Sequence, residues 1–508
     1  MKLDEFKLQI AGSSAASPDP IRIAGITTRN RPEALKECLK SLAGHLTAYP
    51  RELEIIVTDD SDESAALLNR KQLRSIYRDS SYYVGREEKL RLVEKFKHAE
   101  IPIEVSFFGL YGNPDVSFRA GANRNCLMLS CAGSKYLSCD DDVIWDVRDI
   151  RKGEQNIQIR QHVHSALETW FYQSRSLALD AAPKASADLI AAHEALIGAH
   201  LTHIAERRNL HRSLHIDHVG PKSFNHLLDG VGRVLITMSG IIGDSGMPNE
   251  FPFFLATGEM RRRFLEVWNG KTQKQRSREV MRGVAHPVIG AGGPIATTTV
   301  TGWDARDLLP PFLPVARGED GVYGYLLRKC YPEGYIGHVP FAVFHAADPS
   351  RVYGALPASS TIAQIVAAVL EAWGDVATAD PAQRMKLIGR HLVEFGIAAV
   401  EDFESAVLKT LRLNAIEVIA ACEKLLEQHS YSPEEWANGI KTWMTALKGN
   451  LQQKHAAVPL EFAGYNSPLE ALQRVQQILV QFGHLLQWWP AMVCEAQRSR
   501  ECFLDLCA

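Results

Sequence analysis

The chain lacks a C-x-x-C pair, an H-E-x-x-H motif, a glycine-rich phosphate loop, a clear internal repeat and any long low-complexity tract. It also lacks a run of the roughly 20 apolar residues that a spanning helix needs. The most apolar window, VQQILVQFGHLLQWWPAMVC (475–494), is broken by Gln, His and Pro. At the N-terminus, MKLDEFKLQIAGSS carries charges where a secretory apolar region would lie. The nine cysteines are odd in number and scattered, several within apolar segments, which favours reduced thiols over a disulfide framework. Positive charge is not in excess: 56 Lys and Arg face 59 Asp and Glu, for a formal net charge of -3. That balance excludes the basic footprint of a nucleic-acid binder. The expectation is a cytoplasmic chain with no signal peptide, no transmembrane segment and no nucleic-acid partner, with peripheral membrane attachment left open.

What is present is the composition of a folded protein, 46% hydrophobic and 23% charged. At 508 residues the chain exceeds the roughly 250–300 at which one core stops growing, so several domains are expected. After an N-terminal segment (1–19), residues 20–150 alternate strand and helix patterns. IRIAGITT (21–28) and LEIIVTDDS (53–61) read as strands, RPEALKECLKSL (31–42) as a helix, IPIEVSFF (101–108) as a strand, GANRNCLMLSCA (121–132) as a helix, and KYLSC (135–139) as a strand. Such alternation predicts an α/β fold with a mixed, mostly parallel sheet, whose ligands sit beyond the C-terminal strand ends. Residues 151–229, rich in Ala, Leu, Arg, Gln and His, read as a helical insertion. Strand signals return over 230–355, and 356–508 reads as an all-helical C-terminal domain, a candidate surface for oligomer formation.

The conspicuous stretch is KYLSCDDDVIWD, where a strand pattern ends in Asp140, Asp141 and Asp142. Three adjacent carboxylates repel one another, and a hard divalent cation such as Mg²⁺ or Mn²⁺ offsets that repulsion while keeping ligand positions for water and phosphate. The plain alternative is turn or cap chemistry. Against it, Asp59 and Asp60 close the second strand and TTRNRP (27–32) closes the first, so three polar clusters converge on one crevice.

Together, ITTRNRPEALKECLKSL, EIIVTDDSDES, GANRNCLMLSCAGSKYLSCDDDV and RGEDGVYGYLLRKCYPEGYIGHVPFAVFHAADPSR (317–351) resemble a GT-A fold glycosyltransferase of the family 2 type, over roughly residues 20–150 and 230–350. The resemblance implies transfer of a sugar from a nucleotide diphosphate sugar to an acceptor hydroxyl. Carried over, Asp60 would contact the nucleobase, with Asp59 a close competitor, and Thr27 and Arg29 would line the nucleoside pocket. Arg124 would lie near the phosphates, Asp140 against the ribose or metal-bound water, and Asp142 on the metal, Mn²⁺ or Mg²⁺. His345 would be a third metal-site residue, and Asp141 is the aspartate least expected to matter. In inverting members the aspartate of a pair such as Glu319–Asp320 deprotonates the acceptor; capping of the helix that follows is the plain alternative and is compatible with that role. The acceptor, whether saccharide, lipid-linked, peptide or small molecule, carries no readable motif.

Rival readings are a retaining enzyme with the same pocket, a nucleotidyltransferase, and a non-catalytic scaffold. IIGDSGMP (241–248) resembles a serine-protease nucleophile turn but has no matching His context, so a turn in which Asp244 binds a hydroxyl is expected instead. Half of the 18 histidines fall between His162 and His226, and the expectation is a solvated helical face or an acceptor-binding surface. The arginines at 261–263 read as a phosphate-steering patch or an exposed turn, and Trp436, Trp443, Trp488 and Trp489 as helical core.

Overall fold

A computed structural model describes residues 19–508, apart from 154, 163–165, 208–215, 273–274, 292–299, 355–359, 375–377, 379, 430–432, 453–455, 466, 506 and 508. The chain begins with β1 (Ile23–Thr28), α1 (Pro32–Ala48), β2 (Glu54–Asp59), α2 (Glu63–Ile76), β3 (Ser81–Val84), α3 (Arg86–His98), α4 (Ile103–Tyr111) and α5 (Ala120–Ser130). Next come β4 (Lys135–Asp140), β5 (Val143–Asp149), β6 (Gln158–His162), β7 (Glu168–Phe171), α6 (Arg175–Asp180), α7 (Leu189–Glu194), α8 (Leu201–Arg207) and α9 (Ile216–Leu228). The third stretch holds β8 (Arg233–Asp244), α10 (Phe251–Phe254), α11 (Gly258–Trp268), β9 (Glu279–Gly283), β10 (Val288–Ala291), β11 (Val300–Asp304), α12 (Glu319–Cys330) and β12 (Gly334–His345). The remainder is helical: α13 (Ile362–Ala372), α14 (Pro381–Gly396), α15 (Val400–Gln428), α16 (Glu434–Gln452), α17 (Pro468–Arg498) and α18 (Arg500–Asp505).

The α/β class and the helical C-terminal region are thus as expected, in one mixed 12-stranded sheet ordered β3-β2-β1-β4-β11-β8-β12-β10-β6. Strands β3, β2, β1 and β4 run parallel, so their C-terminal ends share one edge. Every residue of β1 is buried, the continuous apolar run of a strand covered on both faces. Register shifts between His338 and Ala342 bend β12 against β8. Beyond that bend a second wing forms, with β5 on β12, β9 on β8 and β7 on β9. Residues Asp141 and Asp142 turn the chain from β4 of the main sheet into β5 of this wing.

Two segments differ from expectation. IPIEVSFF is not a strand: Pro102 sits at the N-cap of α4, and six of that helix's nine residues are buried, so no amphipathic period shows. The edge strand of the parallel set is instead β3, SYYV. Residues 151–229 are not purely helical, because they also supply β6 and β7 to the sheet. LPASST falls partly on residues outside those described.

Candidate functional site

Helix α5 explains how GANRN serves the strand ends. Asn123 Nδ2 donates to the carbonyls of Thr28 (3.2 Å) and Thr58 (2.9 Å), tying together the tips of β1 and β2. Asn125 Nδ2 donates to the carbonyls of Gly109 (3.1 Å) and Phe312 (3.0 Å), while its Oδ1 accepts from the Phe312 amide at 2.7 Å. Between these two anchors Arg124 projects into the crevice. Its Nη2 donates to Asp140 Oδ1 at 2.9 Å and its Nε to Glu319 Oε1 at 3.4 Å. Gly121 permits this seat: a Cβ there would stand 1.9 Å from the Leu313 carbonyl oxygen.

Within the triplet, Asp140 ends β4, while Asp141 and Asp142 form the turn into β5 and share the Arg31 guanidinium. Asp141 is fully buried; its Oδ2 accepts from Thr28 Oγ1 at 2.7 Å, and its Oδ1 pairs with Arg31 Nη2 at 2.6 Å. Burial and the neighbouring aspartates lift its pKa to about 7, against the pull of Arg31 and Thr28. Asp141, the aspartate least expected to matter, anchors the turn through these two contacts. Asp142 Oδ2 accepts from Arg31 Nη1 at 2.6 Å. Burial opposes its charge, yet His345 and Arg31 hold its pKa well below the ordinary carboxylate range. Asp140 Oδ1 also accepts from Thr27 Oγ1 at 3.2 Å, and the side chain stays a quarter exposed toward the crevice.

His345 closes the site from β12. Its Nδ1 lies 2.6 Å from the Asp244 carbonyl oxygen, which requires the Nδ1–H tautomer and leaves Nε2 turned to Asp142 Oδ1, 3.6 Å away. The placement is a backbone matter, since Val143 pairs with His345 and the Ala346 amide donates to the Asp142 carbonyl at 2.7 Å. Among the described residues no three His, Cys, Asp or Glu side chains form a ready-made cation cluster. The donors nevertheless fit a divalent ion: Asp142 Oδ1 is buried without a hydrogen-bond partner, and an imidazole oriented through its other nitrogen is the arrangement metal-ligating histidines adopt.

The two acids of LEIIVTDDS divide sharply. Asp59 is closed off: Oδ1 accepts from the Ser61 amide at 2.7 Å, and Oδ2 accepts from Asn69 Nδ2 at 2.8 Å and from the Tyr83 hydroxyl at 2.5 Å. Asp60 faces the crevice, 3.9 Å from Arg29 and 4.0 Å from Lys89. Arg29 is more exposed and donates to the Ser117 carbonyl at 2.7 Å. Lys89 went unread in the sequence, because one buried lysine inside REEKLRLVEKFKH carries no distinguishing pattern. Arg31 also went unread, although its place directly before the Pro that opens α1 marks it as standing at a strand end.

Glu319 and Asp320 open α12 after Gly318, whose φ of 98° is left-handed. Glu319 is occupied by Arg124 and by the Gly318 amide, which donates to its Oε2 at 3.1 Å. Burial drives its pKa up to about 7, with Arg124 opposing and Asp320 adding to the rise. Asp320 accepts from the Gly321 amide at 2.8 Å and forms no ion pair among the described residues. Burial raises its pKa as well, again against Arg124.

Other expected features resolve structurally. Asp244 cannot bind a hydroxyl, because Arg278 donates to both its oxygens at 2.6 and 2.8 Å and buries it. The neighbouring Ser245 hydroxyl is buried against Tyr353, 3.1 Å away. Of the arginines at 261–263, Arg261 stacks on Trp436, Arg262 pairs with Glu259 and Glu266, and Arg263 with Glu168. His164 of HVH lies outside the described residues, and the His200 and His203 rings meet edge-on, 5.9 Å apart. Trp436 and Trp489 are core, whereas Trp488 is partly exposed. No helix among the described residues is long and apolar enough to cross a membrane.

Comparison of the chain with models of known protein families gives no match, and comparison with curated proteins gives none either.

Proposed function

We propose that the chain is a metal-dependent glycosyltransferase of GT-A type, moving a sugar from a nucleotide diphosphate sugar to an acceptor hydroxyl with inversion. The observation that carries this reading is the convergence of Asp60, Asp140, Asp142 and His345 at neighbouring strand ends with Arg124, which links Asp140 to the acidic pair of α12. Asp60, rather than the sealed Asp59, contacts the base, and Thr27 and Arg29 flank the nucleoside. Asp142 and His345, with Asp140 beside them, would hold Mn²⁺ or Mg²⁺, which when bound supplies positive charge to the departing diphosphate. Arg124 adds a fixed, enclosed positive charge on the same side, where a low dielectric makes it count for more than in water.

Asp320 receives the acceptor proton. Its Oδ1 is oriented by the Gly321 amide, leaving Oδ2 for the incoming hydroxyl, and its raised pKa makes it a stronger proton acceptor than an ordinary aspartate. Glu319 cannot substitute, because both its oxygens are engaged. A panel of nucleotide sugars with Mn²⁺, scored for nucleotide binding and donor hydrolysis, tests the reading. Turnover should appear with one donor and vanish in Asp142→Ala; absence of nucleotide binding, or unchanged activity in that variant, refutes it.

A further inference from the structure

Arg31, at the head of α1, is the one cation among the described residues that contacts two of the three aspartates. Its Nη1 donates to Asp142 Oδ2 at 2.6 Å, and its Nη2 pairs with Asp141 Oδ1 at 2.6 Å. The chain on either side holds it there. Asn30, directly before it, is left-handed at φ 54°, a conformation that Asn tolerates better than most side chains. Asn30 is also fastened to the turn between β2 and α2: its amide donates to Ser61 Oγ at 2.7 Å, and its Oδ1 accepts from the Asp62 amide at 2.8 Å. On the other side Pro32 starts the helix, and the Leu35 amide donates to the Arg31 carbonyl at 3.0 Å, closing the first turn of α1.

The two oxygens of Asp142 are therefore unlike. Oδ2 is taken by Arg31, whereas Oδ1 is buried without a hydrogen-bond partner, 3.6 Å from His345 Nε2. A divalent ion arriving at this turn would meet one available Asp142 oxygen and a positive charge already seated on the other. Such repulsion is stronger in a partly enclosed site than in water. An anion has the opposite relation to Arg31. Half of the Arg31 side chain is exposed, and a guanidinium has five N–H donors, more than its two aspartate contacts use.

We propose that Arg31 is a positioning residue that restrains the cation site: by holding one oxygen of Asp142 and placing a positive charge beside the other, it keeps a divalent ion weakly bound until an anionic diphosphate arrives. Ion and nucleotide then bind together, and neither binds tightly alone. The diphosphate rests on the glycosyl-transfer reading, whereas the restraint on the ion stands on the contact between Arg31 and Asp142.

The test titrates Mn²⁺ into the parent, Arg31→Met, Arg31→Gln and Arg31→Lys at one pH, reading unbound Mn²⁺ by electron paramagnetic resonance, with and without nucleoside diphosphates. Without nucleotide, Arg31→Met and Arg31→Gln should bind Mn²⁺ roughly tenfold or more tightly than the parent, and Arg31→Lys, which keeps the charge, should stay near it. Loss of a merely structural residue would weaken binding instead. A nucleoside diphosphate should tighten Mn²⁺ binding in the parent and do so less in Arg31→Met. Near-ultraviolet circular dichroism reports folding; if Arg31→Met does not fold, Arg31→Gln, which can still donate to one aspartate, decides. Mn²⁺ binding that is equal to the parent's or weaker in the folded neutral variants, or absent from all four proteins, overturns the inference. The two readings fail differently. Loss of nucleotide binding with the order of Mn²⁺ affinities intact removes the transferase and leaves the restraint, while nucleotide-dependent Mn²⁺ binding with unchanged affinity in the neutral variants does the reverse.

Discussion

Replacing Arg124 by Met removes the one cation among the described residues that touches both Asp140 and Glu319, while keeping much of the side chain's bulk. Its side chain is 11% exposed, so the pairs are largely desolvated. Breaking such a pair from one side costs about 3–5 kcal/mol. That cost should depend on pH in a direction set by Glu319. The folded-state pKa of Glu319 is raised to about 7, above its unfolded value, so its contribution to stability is present at low pH and lost as pH rises through about 7. Without Arg124 the opposing pull disappears and Glu319 keeps its proton to higher pH. The variant's native state then carries one proton more than the parent's, and its deficit should widen by about 1.4 kcal/mol per pH unit above about 7 and level off below about 6. Urea unfolding of parent and variant across that range measures the difference. The double substitution Arg124→Met with Glu319→Gln should abolish the slope. A deficit independent of pH, or one that shrinks as pH rises, refutes the coupling of Arg124 to Glu319.

Asp320→Asn should lower kcat by about 10²- to 10⁴-fold with nucleotide affinity kept, and in the parent kcat should rise with pH through the raised Asp320 pKa; a small effect, or one on affinity alone, contradicts the base assignment. Gly121→Ala should destabilise by about 1–3 kcal/mol in chemical denaturation, because its Cβ meets the Leu313 carbonyl oxygen at 1.9 Å. His193 is fully buried beside Thr237 at 2.8 Å, and burial holds its pKa down at about 3. Because the unfolded chain protonates first, stability should fall as pH drops from about 6.5 toward 3, by up to about 1.4 kcal/mol per unit, and His193→Gln should flatten that stretch of the profile.

The parallel strands and their acidic ends were legible because buried strands and strand-end aspartates leave local marks. Helix α4 was not, since a helix buried nearly all round shows no period and IPIEVSFF is rich in strand formers. Asp59 and Asp60 are indistinguishable in sequence; the choice is made by Asn69 and Tyr83, which arrive from α2 and β3. Similarly, the importance of Asp141 depends on Arg31, 110 positions earlier, and on Thr28.

The loop ahead of α12 is held from two directions. Asn125 fastens Phe312 from the α/β side, and the Trp489 indole donates to the Leu309 carbonyl at 2.8 Å from α17. The C-terminal helices are therefore less modular than their composition suggests. A chimera that exchanged residues 356–508 for another helical bundle would have to place one indole at the same height, or lose the alignment of Glu319 and Asp320 with Arg124.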